Sequence, residues 1–263
     1  MTRLQTEALL LRSVEFSESD RIVHLLTPER GRLTAIAKGA RRSIKRFGGS
    51  LDLFNHLRVQ IDKRRGMARL EGAVLIDPFL SLRAVPGRFA LASYLVELLD
   101  RVAPEAGAPS DLRRVFGFAL AALRALSEAD VTPGLRALLE LQTLDVLGLR
   151  PELGRCVHCG RAPVGPGPVA FHVADGGVLC GACASRCDAP LLRVHLGTLR
   201  ALEQGIEFGT ARLSRISWSP QALAEALELV SRFQRFHMGI QLRSEPFLDQ
   251  VVGSPPESGR PPA

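Results

Sequence analysis

The chain has 263 residues, 46% of them hydrophobic and 23% charged, and its formal net charge is +7. That is the composition of a soluble globular protein, long enough for one large domain or two to three small ones. No apolar run reaches the roughly 18–20 residues that span a bilayer, and the opening MTRLQTEALLLRSVE lacks the layout of a signal peptide, so no membrane partner and a cytoplasmic location are expected.

The charge is unevenly placed. Residues 1–80 hold 15 of the 34 basic residues, all three lysines among them, against 9 of the 27 acidic ones, a local balance of +6. The same eighty residues read as five short strands. EALLLRSV is apolar and ends at the polar EFSESD. DRIVHLLT sets Ile22, His24 and Leu26 opposite Val23, Leu25 and Thr27, and PERG supplies turn chemistry. RLTAIAKG alternates again. After a long basic stretch come LFNHLRVQID and MARLEGAVLI, joined at the turn KRRG. Five antiparallel strands of this length can close into a small barrel such as an OB-fold; a small open sheet is the competing arrangement.

From Pro86 the period becomes helical. PGRFALASYLVELLDRV repeats apolar residues at Leu91, Tyr94, Leu95, Leu98 and Leu99. SDLRRVFGFALAALRAL has Ser110 as its expected cap, and PGLRALLELQTLDVLGL starts at Pro133 and stops at Gly148. Helical spacing returns in LLRVHLGTLRALEQGI and in SPQALAEALELVSRFQRFHMGIQL, where Ser219 is the cap and Pro220 the first helical residue. Between these helices, residues 152–190 are rich in Gly, Pro and Cys and read as an insertion. The fold class expected is therefore α+β: a five-stranded OB-fold barrel over residues 1–80, a helical domain over 81–151 and 191–250, an inserted four-cysteine zinc-binding module over 152–190, and a disordered tail over 251–263.

Four cysteines form two C-x-x-C pairs, Cys156 with Cys159 and Cys180 with Cys183, with twenty residues between the pairs. This is zinc-ribbon spacing: two thiolates three positions apart in a tight turn can both face one tetrahedral ion, with Gly160 and Gly181 supplying turn freedom. One structural Zn2+ is the expected cofactor, contributing folding energy to a module with a thin core. The ligand type alone would also suit an iron–sulfur cluster. A redox C-x-x-C needs only one pair. His158 and Cys187 are spare donors, read as a solvated residue and a buried or free thiol.

The stretch AKGARRSIKRFGG places Lys38, Arg41, Arg42, Lys45 and Arg46 within nine positions, inside an acid-free interval that also takes in Arg30 and Arg32. A run of charge is usually a solvated face. Here it interrupts a predicted barrel, and a second cluster, Lys63, Arg64 and Arg65, falls in another turn of the same domain. Such a field attracts nucleic-acid phosphates through counterion release. Aromatics are few, with Phe16, Phe47, Phe54 and Phe79 in this region, so backbone electrostatics should dominate over stacking, Phe47 being the candidate for an exposed ring. No phosphate-binding, dinucleotide, zinc-protease or serine-hydrolase motif is present, and two-metal chemistry would have to draw on scattered acids such as Asp20, Asp52 and Asp62. No enzymatic activity is expected. A zinc-ribbon and OB-fold protein that binds RNA or ribosomes is the alternative reading.

EALLLRSVEFSESDRIVHLLTPERGRLTAIAKGARR resembles the opening of the RecO family of bacterial recombination mediators, through Leu11-Arg12, Glu18-Ser19-Asp20, Thr27 with Gly31, and Lys38-Gly39 with Arg41-Arg42. SYLVELLDRV and FHMGIQLRSEPFLDQV are also similar. The resemblance implies an OB-fold, a helical domain and a zinc module. It implies binding of single- and double-stranded DNA with Arg12 among the contacts, annealing of complementary strands, and partnership with RecR and single-strand-binding protein so that RecA is loaded on coated DNA in the nucleoid. Some members lack the cysteines, so the zinc would be structural. Phe16 stands where the family usually has Tyr. The acidic tail of single-strand-binding protein would dock on the helical domain, with Arg232, Arg235 and Arg243, flanking the last amphipathic helix, as its candidate contacts.

Overall fold

The alternation of the first eighty residues becomes five strands: β1 (Thr2–Glu15), β2 (Arg21–Thr27), β3 (Gly31–Ala37), β4 (His56–Lys63) and β5 (Ala68–Asp77). The computed structural model describes residues 2–63, 66–165, 167–210 and 216–253, without the side chains of Thr2 and Lys63. β1 pairs antiparallel with both β2 and β4, and β2–β3 and β4–β5 are antiparallel as well. β3 and β5 meet in a short parallel seam, Ala35 opposite Ala68 and Ile36 opposite Arg69. The ring order β1-β2-β3-β5-β4 is that of an OB-type barrel closed along that seam. The expectation of five antiparallel strands fails at this one pair for a topological reason: a ring with an odd number of strands cannot alternate direction all the way round.

The barrel interior is filled by Ala8, Leu10, Val23, Leu25, Ala35, Ala37, Leu57, Val59, Ile61, Leu70 and Ala73. Leu9, Leu11 and Leu26 alternate with these and are buried too. Their face is covered by helices: α3 (Pro86–Val102) packs on β1, and α4 (Pro109–Glu128) on β1, β2 and β3. Burial on both faces explains why the middle of β1, Ala8 to Leu11, reads as a continuous apolar run rather than an alternation. α4 begins one residue before the expected cap: Pro109 is its first residue and Ala108 holds the cap position, so Ser110 lies inside the helix. Gly31 shows why the loop after α3 must meet β3 at a glycine. Its φ is +63°, and a Cβ there would fall 2.1 Å from the Pro104 carbonyl oxygen, which instead accepts a hydrogen bond from the Arg32 N–H at 2.9 Å.

The residues pack as two compact units, 1–129 with 242–244, and 130–241 with 245–263. The helical stretch that begins at residue 81 thus contributes to both, with α2 (Leu80–Ala84), α3 and α4 belonging to the barrel's unit. In the second unit α5 (Pro133–Val146), α7 (Leu196–Glu207) and α8 (Pro220–Met238) pack on one another. Ser219 caps α8 as expected, accepting from the Ala222 N–H at 3.1 Å, and Thr132 does the same for α5. α5 is buried on nearly every side. Arg136, 1% exposed, donates to Glu140 one turn on (2.9 Å), to Asp249, and to the Gly253 carbonyl (3.2 Å). That network fastens α9 (Glu245–Val252) to α5. α9 takes the first two residues of the expected tail; residues 254–263 lie outside the described residues.

The inserted module is a three-stranded sheet in the order β7-β6-β8, from β6 (Val169–His172), β7 (Gly177–Leu179) and β8 (Leu192–Val194), with a short α6 (Gly181–Ala184). β8 takes residues expected to begin a helix. Leu192 and Val194 are buried and Arg193 is exposed, a period of two that suits pairing with β6. β6 is sandwiched: Ala170 faces the cysteines, and Phe171 packs edge-on against Phe233 of α8, ring centroids 6.3 Å apart.

Candidate nucleic-acid interface and metal centre

The basic loop joins β3 to β4 and contains one helical turn, α1 (Ile44–Phe47). Phe47 is not an exposed ring: it is 2% exposed and joins Leu51 in the barrel core, so the basic stretch is plugged into the barrel by this aromatic side chain. Burying a phenylalanine stabilises by about 2–3 kcal/mol. The loop's entry is fixed by Asp20, whose Oδ1 accepts the Gly39 N–H at 2.8 Å. That N–H, with help from Ser19 and Lys38, holds the Asp20 carboxyl below the ordinary carboxylate range. The Arg41 N–H donates to the Ser19 carbonyl at 3.1 Å, a second tie between the two loops.

On this frame Lys38, Arg41, Arg42 and Lys45 are exposed. Arg46 behaves differently. Its guanidinium donates to the Lys38 carbonyl (2.6 Å) and to Ser43 (3.1 Å) and lies 5.0 Å from the Phe47 ring centre, so it closes the loop on itself. The basic stretch is acid-free along the chain but not in space: Glu15 lies 3.4 Å from Arg41 and Glu18 lies 3.7 Å from Arg42. All four side chains are exposed, and such pairs contribute little and yield readily to another anion.

The other expected contacts are not gathered there. Arg30 and Arg32 flank the start of β3, and Lys38 follows its end, about 20 Å away along a seven-residue strand. Arg32 pairs with Glu105 and with Asp100 (3.7 Å), and Asp100 also meets His24 Nδ1 at 2.6 Å. Arg12 is exposed on β1, opposite His24. Lys63 ends β4, its side chain not described, and Arg64 and Arg65 lie outside the described residues. Asp20 and Phe47, which organise the loop, carry no local sequence signal for that role: one partner is a backbone N–H 19 residues on, and the other is the barrel itself.

The four cysteines converge. Cys156 and Cys159 share a turn closed by the Gly160 N–H on the Cys156 carbonyl (2.8 Å), with Gly160 at φ +73°; Cys180 and Cys183 flank the start of α6. Gly181 uses no positive φ, contrary to expectation. All four sulfurs lie within 4.8 Å of one another, Cys159 and Cys180 at 3.6 Å. Thiolates 2.3 Å from a tetrahedral ion would be about 3.8 Å apart, so the set fits one metal ion. Burial pushes the Cys156 thiol up, but N–H groups of Cys180, Cys159 and His158 outweigh it and bring it down to about 6. Cys183, hydrogen-bonded to Cys180 and buried among the other sulfurs, is pushed up to about 12. Four thiols this close cannot all ionise without a cation to balance them. Cys187 is half-buried beside the cluster, outside the four-sulfur set, and His158 is not simply solvated: its Nε2 lies 2.6 Å from Asp175 Oδ2.

Arg232 and Arg235 of α8 line a cavity of about 420 Å³ with Phe236, Pro190, Ala189 and His172. Arg243 is not with them; it falls in the segment 242–244 of the first unit, where Glu97 accepts the N–H groups of Arg243 and Ser244 at 2.8 Å each.

Two family models match the chain: Recombination protein O N terminal over residues 1–79, and Recombination protein O C terminal over residues 83–246. The DNA repair protein RecO of Anaeromyxobacter dehalogenans (strain 2CP-C) is 38% identical over 253 residues, 95% of this chain and 98% of that protein. The proteins of the same name from Myxococcus xanthus (strain DK1622) and Syntrophus aciditrophicus (strain SB) are 36% and 34% identical, covering 95% and 94% of this chain and 99% and 95% of their own lengths. With both units matched over nearly their full length, on an OB-type barrel followed by helices and a four-cysteine cluster, the chain belongs to the recombination protein O family.

Proposed function

We propose that the chain is a non-catalytic DNA repair and recombination mediator. It binds single- and double-stranded DNA, anneals complementary strands, and with RecR helps load RecA onto DNA coated by single-strand-binding protein in the cytoplasm, at the nucleoid. The observation that carries this reading is the set of exposed cations Lys38, Arg41, Arg42 and Lys45 on a loop fixed to the barrel by Phe47 and Asp20. Complementary strands repel each other, and cations that neutralise phosphates on both lower that barrier and release counterions. Arg12, Arg30, Arg32, Arg46, Lys63, Arg64 and Arg65 extend the proposed contacts with less support, Arg32 and Arg46 being already engaged within the protein. The acids Asp20 and Asp52, candidates for a metal-dependent reaction, have structural partners in Gly39 and Arg83, which favours the non-catalytic reading.

Cys156, Cys159, Cys180 and Cys183 are proposed to hold one structural Zn2+. The cavity beside Arg232 and Arg235, cationic at its edge with Phe236 exposed, suits an acidic tail such as that of single-strand-binding protein, with Arg243 the weaker candidate. The decisive experiment is annealing of complementary DNA strands coated with single-strand-binding protein. Acceleration by the chain is expected, and none would overturn the mediator reading. Tighter binding of RNA than DNA across salt concentrations would instead favour an RNA or ribosome partner.

A further inference from the structure

Beside the four cysteines lies a second set of donors. His158 sits between Cys156 and Cys159, His172 ends β6, and Asp175 lies in the turn between β6 and β7. Asp175 Oδ2 is 2.6 Å from His158 Nε2 and 2.6 Å from His172 Nδ1, and the three donor atoms lie within 4.8 Å of one another. His172 Nδ1 is closed off from solvent, and the Asp175 carboxylate is its partner at 2.6 Å. Convergence of two imidazole nitrogens and a carboxylate oxygen on a common point is also the arrangement of metal ligands around an ion. Around a tetrahedral ion bound at 2.0–2.2 Å, neighbouring nitrogen and oxygen donors would stand about 3.3 Å apart, so a small opening of the Asp175 side chain admits one.

We infer that His158, His172 and Asp175 form a second metal site in this module, for a divalent transition ion. Two imidazoles and one carboxylate suit zinc, cobalt, nickel or copper, whereas calcium and magnesium prefer all-oxygen sets. Three protein ligands leave one position of a tetrahedron to water, unlike the closed set of four cysteines. The backbone is already in place: the Cys156–Cys159 turn fixes His158, and the pairing of β6 with β7 sets His172 opposite Gly177. His172 also lines the 420 Å³ cavity.

The test counts metal on the full-length chain. The reduced protein is saturated with Zn2+, desalted and analysed for zinc, and a Co2+-loaded sample reports the cysteine set separately through its thiolate charge-transfer band. Two zinc ions per chain are expected. Asp175→Asn should bind one, with the thiolate band unchanged, and His172→Ala should do the same. Asp175 is exposed, so its variant keeps the test valid if the His172 change disturbs folding. One zinc per chain in the unaltered protein with the thiolate band intact, or two zinc ions retained in the Asp175→Asn variant, would overturn the second site. Failure of the cysteine set would show as a missing thiolate band, and failure of the DNA reading would leave both counts unchanged.

Discussion

Asp20 has no phosphate to bind, yet under the proposed function it would bear on DNA binding through the loop it positions. It holds the Gly39 N–H at the point where the basic loop leaves β3. Arg41 and Arg42 keep their charge without it but lose a fixed position. Two kinds of variant therefore separate. Replacing Arg41, Arg42 and Lys45 with Ala removes charge and should flatten the dependence of affinity on salt, by a slope of roughly 0.7 for each single-strand phosphate no longer neutralised. Asp20→Ala should weaken single-strand affinity several-fold while leaving that slope unchanged, because the same phosphates are still neutralised once the loop has been ordered on binding. Fluorescence anisotropy titrations at several salt concentrations measure both, and a reduced slope for Asp20→Ala would refute the positioning role. The Asp20 carboxyl lies below its ordinary value, so the hydrogen bond contributes stability above the unfolded carboxylate range and loses it as pH falls through the lowered folded value. At neutral pH the loop is fully tethered.

At the scale of elements, α7 begins without a cap of its own: His195 holds the cap position and makes no side-chain capping bond. The acceptor comes instead from α8. Glu225 accepts the His195 N–H at 2.9 Å and the Thr198 hydroxyl at 2.7 Å, and meets His195 Nδ1 at 2.6 Å. Burial pushes this carboxyl up, but the bonds from Thr198 and His195 outweigh it and the net shift is downward. Glu225→Ala should cost about 1–2 kcal/mol, the scale of removing a helix cap, read as a lower denaturation midpoint. In the unaltered chain this contribution holds above the unfolded carboxylate range and disappears as pH falls through the folded value; a midpoint difference between the two proteins that persists below that value would refute the assignment. A cap lent by another helix is invisible to local sequence rules. What those rules reach is local: α3 has the bounds its apolar spacing and Pro86 predict, and Ser219 caps α8. They miss α9, whose place depends on the distant Arg136, and β8, whose period of two is only three residues long. They miss α1 because a single turn with Ile44 and Phe47 set among cations gives no periodicity to read.

For the molecule as a whole, the division into two units determines what removal of metal does. The expected barrel, helices and cysteine module are all legible in composition and spacing, and the cysteine pairs announce their own convergence. The unit boundary is not legible, because α3, α4 and α5 have the same helical pattern and only packing assigns the first two to the barrel. The module's sheet is short and its core is little more than Ala170, Leu179 and the cysteines, so bound metal should supply much of its folding energy. The module is also joined to α8 through Phe171 on Phe233 and through the His237 side chain, whose Nε2 lies 2.8 Å from the Val173 carbonyl. Removing metal should therefore loosen more than residues 152–190: α8 loses the surface against which Phe233 packs. The barrel keeps its own interior, with Phe47 and Leu51 closing it. Chelation under reducing conditions, followed by amide hydrogen exchange, should raise exchange over β6–β8 and along the Phe233 face of α8 while β1–β5 stay protected, and single-strand affinity should change less than two-fold. Exchange rising equally in β1–β5 would mean that the two units unfold as one and that the metal centre supports the barrel as well.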